Sequence, residues 1–213
     1  MIDKEKFNFT ENDVEKDGHV YCKICGERVD GETLDLPFAK FTPRVMCACD
    51  RKRKQADEER ERLMKVSMLK NSCFISPIQT QYTFENYLKG NDQAYQVSKN
   101  YVDNFAQMKK DNIGLLFHGN VGSGKTYLAC AIANALIEKE LLQVRMHNLS
   151  QIINQLQHSG FNSDRNGLIS SLGNIPLLIL DDLGIERDTS YAREQVYNII
   201  NERYLKGRPT IFT

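Results

Sequence analysis

The sequence predicts an α/β domain with a mostly parallel sheet covered by helices, preceded by a small cysteine-bearing module and a charged linker helix. Three observations carry the prediction. Short apolar strands alternate with helical patterns from about residue 92 onward, as a parallel sheet covered on both faces requires. A Gly-rich turn at 119–126 lies between one such strand and one such helix. Four of the six cysteines fall within the first 50 residues, in two close pairs.

Composition narrows the class. The chain has 213 residues, 41% hydrophobic and 26% charged, with 13 Gly and 5 Pro. These values exclude a wholly disordered chain, a collagen-like repeat and a disulfide miniprotein. No run approaches the ~20 apolar residues that span a bilayer. Residues 1–18 are charged and lack a signal-peptide apolar core. A cytoplasmic protein is expected, with thiols or metal ligands rather than disulfides. Net charge is zero, with 28 basic and 28 acidic residues, which argues against a global nucleic-acid binder. The charge is uneven: residues 1–35 carry 10 acidic and 5 basic side chains, and residues 36–70 carry 10 basic and 5 acidic. There is no internal repeat.

Residues 1–50 form the cysteine module and 51–74 the basic linker helix. The stretch 51–72 has strong helix formers and no Gly or Pro, and its first half is charged all round. Residues 75–89 are a turn-rich lead-in. Val97, Tyr101, Val102, Phe105 and Met108 recur at three- and four-residue spacing, predicting one helix over 92–110. Residues 113–118 are a short apolar strand, followed by the Gly-rich turn and a helix from about Gly124 to Lys139. A second strand over 142–147 precedes a helix at Leu149–His158. Residues 160–175 begin as a polar loop. Residues 177–181 are a buried strand, 190–206 a helix, and 209–213 the start of a fourth strand.

Gly119-Asn120-Val121-Gly122-Ser123-Gly124-Lys125-Thr126 fits G-x-x-x-x-G-K-[ST] at every fixed position, in the strand–loop–helix context that the motif requires. Glycines let backbone N–H groups turn inward around phosphates. The following helix points its positive end at them. Lys125 is expected on the β/γ-phosphates, Thr126 on Mg²⁺, and the nucleotide contacts extend through Tyr127. A fortuitous match at ordinary Gly usage has odds on the order of 1%. Downstream, Pro176-Leu-Leu-Ile-Leu-Asp181-Asp182 is an apolar strand ending in two carboxylates. Such a strand delivers Asp181 to the Mg²⁺ shell at the carboxyl edge of the sheet. Asp182 then orients or deprotonates the attacking water. The bland alternative is an Asp-rich turn capping the next segment, and the phosphate loop upstream weighs against it.

Cys22-x-x-Cys25 and Cys47-x-Cys49 offer four thiolates in two pairs, the ligand set of a closed structural Zn²⁺ site. The C-x-C spacing of the second pair is tighter than usual. Residues 1–50 have too few apolar residues for a core, so a metal staple is physically reasonable. A redox pair would belong at a helix start near a βαβ unit. Unliganded thiols would leave four cysteines in a polar segment. His19 is an alternative ligand, read as a bystander. Cys73 and Cys130 read as lone thiols, and His118, His147 and His158 as structural.

The segment GLLFHGNVGSGKTYLACAIANAL and LLILDDLG at 177–184 resemble the ATPase core of DnaC/DnaI-type helicase loaders and their IstB-like relatives. Tyr82-Thr83-Phe84-Glu85-Asn86-Tyr87 is similar to the T-F-E-N-[FY] segment before that core. Residues 196–204, VYNIINERY, are similar to the helix before its sensor-1 strand. The resemblance covers roughly 75–213. The cysteine module followed by a basic helix resembles the Gram-positive and phage versions. The resemblance implies an AAA+ P-loop ATPase that binds a replicative helicase hexamer and helps place it on single-stranded DNA. It implies ATP, Mg²⁺ and Zn²⁺ as cofactors and a homo-oligomer formed with ATP, with no membrane partner. Gly122, Gly124, Lys125 and Thr126 carry over as phosphate and Mg²⁺ contacts, Asp181 as the Mg²⁺-linked carboxylate and Asp182 as the water-activating acid. Phe84, Asn86 and Tyr87 are adenine-pocket candidates by the same resemblance, and residues 1–70 the helicase-docking part.

The chain ends at Thr213, inside the strand that in the family runs into sensor 1. The sensor Asn, a fifth strand and the arginine finger would lie beyond it. The expectation is a fragment of a longer product that binds nucleotide better than it hydrolyses it, since such an arginine is worth several orders of magnitude. The expected loss of the fifth strand would leave apolar surface beside the phosphate-loop strand. Competing readings are a transposition helper of the same fold, a zinc-dependent adaptor with a hydrolysis-poor core, and a small P-loop kinase, for which no lid segment is evident. The run Arg51–Lys54 suits either single-stranded DNA contact or a solvated helix face.

Overall fold

The computed structural model describes residues 7–37, 39–88, 92–158, 162–183 and 189–213. It divides into two compact units that meet within one helix, at Leu63 and Met64. Among the described residues, no helix is long and apolar enough to cross a membrane.

The first unit is built on two small hairpins. Strands β1 (Asp13–Lys16) and β2 (His19–Cys22) pair antiparallel, joined by Asp17-Gly18 with both residues at positive φ. That is the turn which an Asp-Gly loop selects between right-twisted strands. Strands β3 (Leu34–Leu36) and β4 (Ala39–Phe41) form the second hairpin. The apolar cluster here is small: Phe7, Val20, Cys22, Val29 and Cys47. Buried ion pairs supplement it. Arg44 donates from Nε and Nη2 to the two oxygens of Asp13 at 2.8 and 2.9 Å, and from Nη1 to Asp50 at 2.6 Å.

Helix α1 (Ala48–Cys73) begins earlier than residue 51 and belongs to both units. Val66 and Leu69 pack against the core of the second unit, and Cys73 is buried in it. The helix read over 51–74 thus runs from Ala48 to Cys73.

The second unit is the expected α/β layer structure. Its sheet contains β5 (Leu115–Leu116), β6 (Val144–Asn148), β7 (Leu177–Asp181) and β8 (Thr210–Phe212), all parallel, in the order β5-β8-β7-β6. β7 is buried along its whole length. Gly114 lets β5 approach β8 closely, because a Cβ there would sit 2.0 Å from the Thr210 carbonyl oxygen. A short 3-10 turn (Pro77–Gln81) precedes α2 (Gln93–Asp103) and α3 (Phe105–Lys110). Then come α4 (Lys125–Glu140), α5 (Leu149–His158), α6 (Asn162–Asn174) and α7 (Ser190–Leu205). One core joins α2, α4 and one face of the sheet; a second joins α5, α6, α7 and the other face.

Three expectations are corrected. The helix expected over 92–110 is two, broken at Asn104. Its side-chain Nδ2 donates to the Asn100 carbonyl at 3.0 Å, competing with the helical backbone pattern. The strand expected over 142–147 starts at Val144, because Leu141, at φ 52, ends α4 in a left-handed cap. The polar stretch at 160–175 is largely the helix α6, although residues 159–161 lie outside the described residues. Its Gly and Ser content argues against a helix. Burial of Leu172, with Leu168 and Ile169 packed beside it, outweighs that preference.

Candidate nucleotide and metal sites

The phosphate loop lies between β5 and α4. Gly122 and Gly124 stand at φ 76 and 97, the left-handed region that side chains disfavour. The residue after Gly124 is the first of α4, so the helix N-terminus opens onto the loop. Lys125 folds back over it, donating from Nζ to the carbonyls of Gly119 at 3.0 Å and Asn120 at 3.1 Å. Val121 is fully exposed at the tip. Ser123 N–H donates to the Asn120 carbonyl, closing the turn.

Fifty-five residues later in sequence, β7 brings its carboxylate to the same place. Thr126 Oγ1 donates to Asp181 Oδ1 at 2.9 Å. Thr213 Oγ1 bonds to the same oxygen. A hydroxyl and a buried carboxylate in contact are a hard-oxygen pair that suits Mg²⁺. Asp182 follows with φ 63, unusual for a residue with a Cβ. Asn148, at the end of β6, holds it: Nδ2 donates to Asp182 Oδ2 at 2.8 Å, while Asn148 Oδ1 accepts the Gln151 N–H. Thr126 and Asp181 thus meet at the carboxyl edge of the sheet, with Lys125 and Asp182 as their chain neighbours. Asn148 and Thr213 escaped the sequence reading, since parallel pairing across distant segments brings them in.

A cavity of about 470 Å³ opens beside the loop. Gly122, Ser123, Gly124, Lys125, Thr126 and Tyr127 line one side, and Ser76, Ile78, Gln79 and Tyr82 the other. The adenine-pocket candidates are not among its lining residues, although Tyr87 packs on Tyr127 with ring centroids 5.4 Å apart. Phe84 is buried in the core, Asn86 donates to the Gln81 carbonyl, and Tyr87 stacks on Tyr95. The cavity-facing residues of the lead-in come earlier in the sequence.

In the first unit, the sulfurs of Cys22, Cys25, Cys47 and Cys49 all lie within 4.8 Å of one another. Tetrahedral zinc thiolates require separations of about 3.8 Å, so the set fits with small adjustment. Local structure explains the convergence. Gly26, at φ 72, turns the chain so that its N–H meets the Cys22 carbonyl. Cys47 precedes the first turn of α1, and its carbonyl accepts the Arg51 N–H. Without metal, burial pushes the Cys47 thiol up to about 12, while hydrogen bonding from the Glu27 backbone holds Cys25 down to about 7. His19 is engaged elsewhere, with Nδ1 2.9 Å from Asp30 Oδ2. Cys73 and Cys130 are buried core thiols, and burial pushes Cys73 up to about 12. In the basic run, Arg51 pairs with Glu27, Arg53 with Asp50 and Lys54 with Glu58, as on a solvated helix face.

Comparison with known proteins agrees with this geometry. A family profile described as IstB-like ATP binding protein matches residues 41–213. The replicative helicase loader DnaC of Escherichia coli (strain K12) is 30% identical over 165 residues, which are 74% of this chain and 65% of that protein. The chain therefore spans just under two thirds of that relative. Solved structures of a DnaC helicase loader and of DnaI each superpose with a TM-score of 0.57, at 28% and 26% identity. They cover 65% and 66% of this chain, and 78% and 76% of theirs.

Proposed function

The chain belongs to the IstB-like ATP-binding protein family and is of the DnaC/DnaI type; on that premise we propose that it is the ATPase of a replicative helicase loader. It binds a replicative helicase hexamer and helps place it on single-stranded DNA. The observation that carries this reading is the similarity to DnaC across 74% of the chain. Support also comes from the contact between Thr126 and Asp181, which joins the phosphate loop to the carboxylate that the family's chemistry needs.

In this proposal Lys125 leaves the Gly119 and Asn120 carbonyls and pairs with the ATP phosphates. Thr126 and Asp181 hold Mg²⁺, which screens the phosphate charge. Asp182, kept in place by Asn148, orients the attacking water. Cys22, Cys25, Cys47 and Cys49 hold one Zn²⁺ that stabilises the helicase-docking part.

Co-elution of the chain with the replicative helicase of its source, with Mg²⁺ and ATP present, tests the proposal. A stable complex is expected. Absence of a complex, with the chain folded and zinc-loaded, would move the assignment to the transposition helper that shares this family.

A further inference from the structure

The four clustered cysteines stand on two separate supports. Cys22 ends the β1–β2 hairpin, where Asp13 lies opposite it across the ladder, and Cys25 follows in the next turn. Cys47 directly precedes α1, and Cys49 lies in its first turn. Strands β3 and β4 fall between the two pairs in sequence.

Two polar contacts outside the sulfurs join these supports. Glu27, whose carbonyl accepts the Cys22 N–H at 2.9 Å, takes the Ala48 N–H on Oε2 at 2.7 Å. That carboxylate is partly open to solvent. The second contact is nearly enclosed. Arg44 holds the fully buried Asp13 side chain with two donors, and its Nη1 reaches Asp50 Oδ2 at 2.6 Å. Asp50 is the third residue of α1, and the same oxygen accepts the Cys47 N–H at 3.3 Å, one half of a capping box. The guanidinium therefore spans from the strand residue facing Cys22 to the carboxylate that caps the helix turn carrying Cys47 and Cys49.

Charge gives Arg44 a second task. Asp50 Oδ2 lies 3.3 Å from Cys47 Sγ. With Cys47 a metal-bound thiolate, that contact sets one anion against another. Four thiolates around Zn²⁺ already carry a net double negative charge. The Arg44 cation offsets the repulsion, and solvent screens it little, because the Arg44 and Asp50 side chains are only 14% and 18% exposed. A lysine carries the charge without the planar fork that reaches both carboxylates.

We propose that Arg44 is a positioning residue of the zinc site, setting how tightly the four cysteines hold the metal by clamping Asp13 to Asp50. The inference rests on the zinc reading of the cysteines. Groups outside the ligands orient them, and losing one costs about ten- to a hundredfold in metal affinity.

The test is competition of the full chain with a chelator of known zinc affinity, together with Co²⁺ absorption as a report on the thiolate shell. The parent should bind one equivalent of zinc and give the intense thiolate-to-cobalt band of a four-sulfur site. Arg44→Lys should also bind one equivalent, but about tenfold or more weakly. Asp50→Ala, which leaves the Arg44–Asp13 pair in place, should weaken zinc by a similar factor. Both changes open the same bridge, so the double variant should lose little more than the weaker single variant. Arg28→Ala controls for general destabilisation. It strips a second arginine from a buried carboxylate, Asp30, which keeps its contacts to His19 and the Val20 N–H, and it should weaken zinc less than either. Unchanged zinc affinity in Arg44→Lys or in Asp50→Ala would overturn the proposal, as would losses that add in the double variant or that Arg28→Ala matches. If Arg44→Lys does not fold, Asp50→Ala against Arg28→Ala decides. A folded parent that binds neither Zn²⁺ nor Co²⁺ would instead remove the zinc reading beneath the proposal.

Discussion

The two units solve the same problem with different physics. The second unit buries apolar surface: α4 contributes Leu128, Ile132, Leu136 and Ile137, and β7 contributes Leu177, Leu178, Ile179 and Leu180, all at or near zero exposure. Among the described residues the first unit buries five apolar side chains, and two of them, Cys22 and Cys47, belong to the four-sulfur cluster. Hairpin pairing and carboxylate–arginine contacts supplement this small cluster. The difference teaches which perturbations each unit should tolerate. A core held by many dispersed contacts loses stability in increments, whereas one held by a few polar or metal bonds fails when a single bond is lost.

The largest effect should come from Cys22→Ser. It removes a buried core residue that the proposal also makes a zinc ligand, so the first unit should lose its amide NMR dispersion while the second keeps its own. Next comes Arg44→Ala, which strips the partner from a fully buried Asp13 carboxylate. Breaking such a pair costs about 3 kcal/mol or more, read as a lowered urea midpoint for the first unit. In the second unit, Ile132→Ala should cost about 2–5 kcal/mol, with the fold retained. Acid should act on the first unit at Asp13. The Arg44 guanidinium holds the Asp13 carboxyl down to about 2, below its ordinary 3.8. A depressed carboxylate stabilises the fold above its unfolded value, so that contribution is present above pH 3.8 and disappears as the pH falls through about 2. Denaturant midpoints against pH check this, and Asp13→Asn should flatten the slope. The smallest stability effect, within about 0.5 kcal/mol, belongs to Lys125→Ala, whose ammonium is exposed. The same change should abolish ATP binding, which separates stability from function in the second unit.

What sequence made legible follows the same division between local and distant causes. The phosphate loop and the buried strand ending at Asp181 were readable because each is a continuous stretch whose pattern states its own role. Helix α5 was readable because its apolar residues fall on one face and it directly follows β6. The cysteine pairs were readable because ligand spacing is local. Helix α6 was not, because Leu168, Ile169 and Leu172 stabilise it only through packing on distant elements. The break at Asn104 depends on one side chain choosing the Asn100 carbonyl. Asn148 reaches Asp182 only after β6 and β7 pair in register, Asn148 opposite Asp181. The cavity wall at Ile78 and Tyr82 likewise needs the lead-in folded against α4, and resemblance alone pointed to its neighbours Phe84, Asn86 and Tyr87.

The contrast itself is tested most directly by adding a strong chelator to the full chain while following amide NMR signals from both units and counting zinc released. The account predicts one equivalent of zinc, collapse of signals from the first unit and unchanged signals in the α/β core. Retention of the first unit's signals after complete metal removal, or absence of bound zinc in a folded chain, would contradict it.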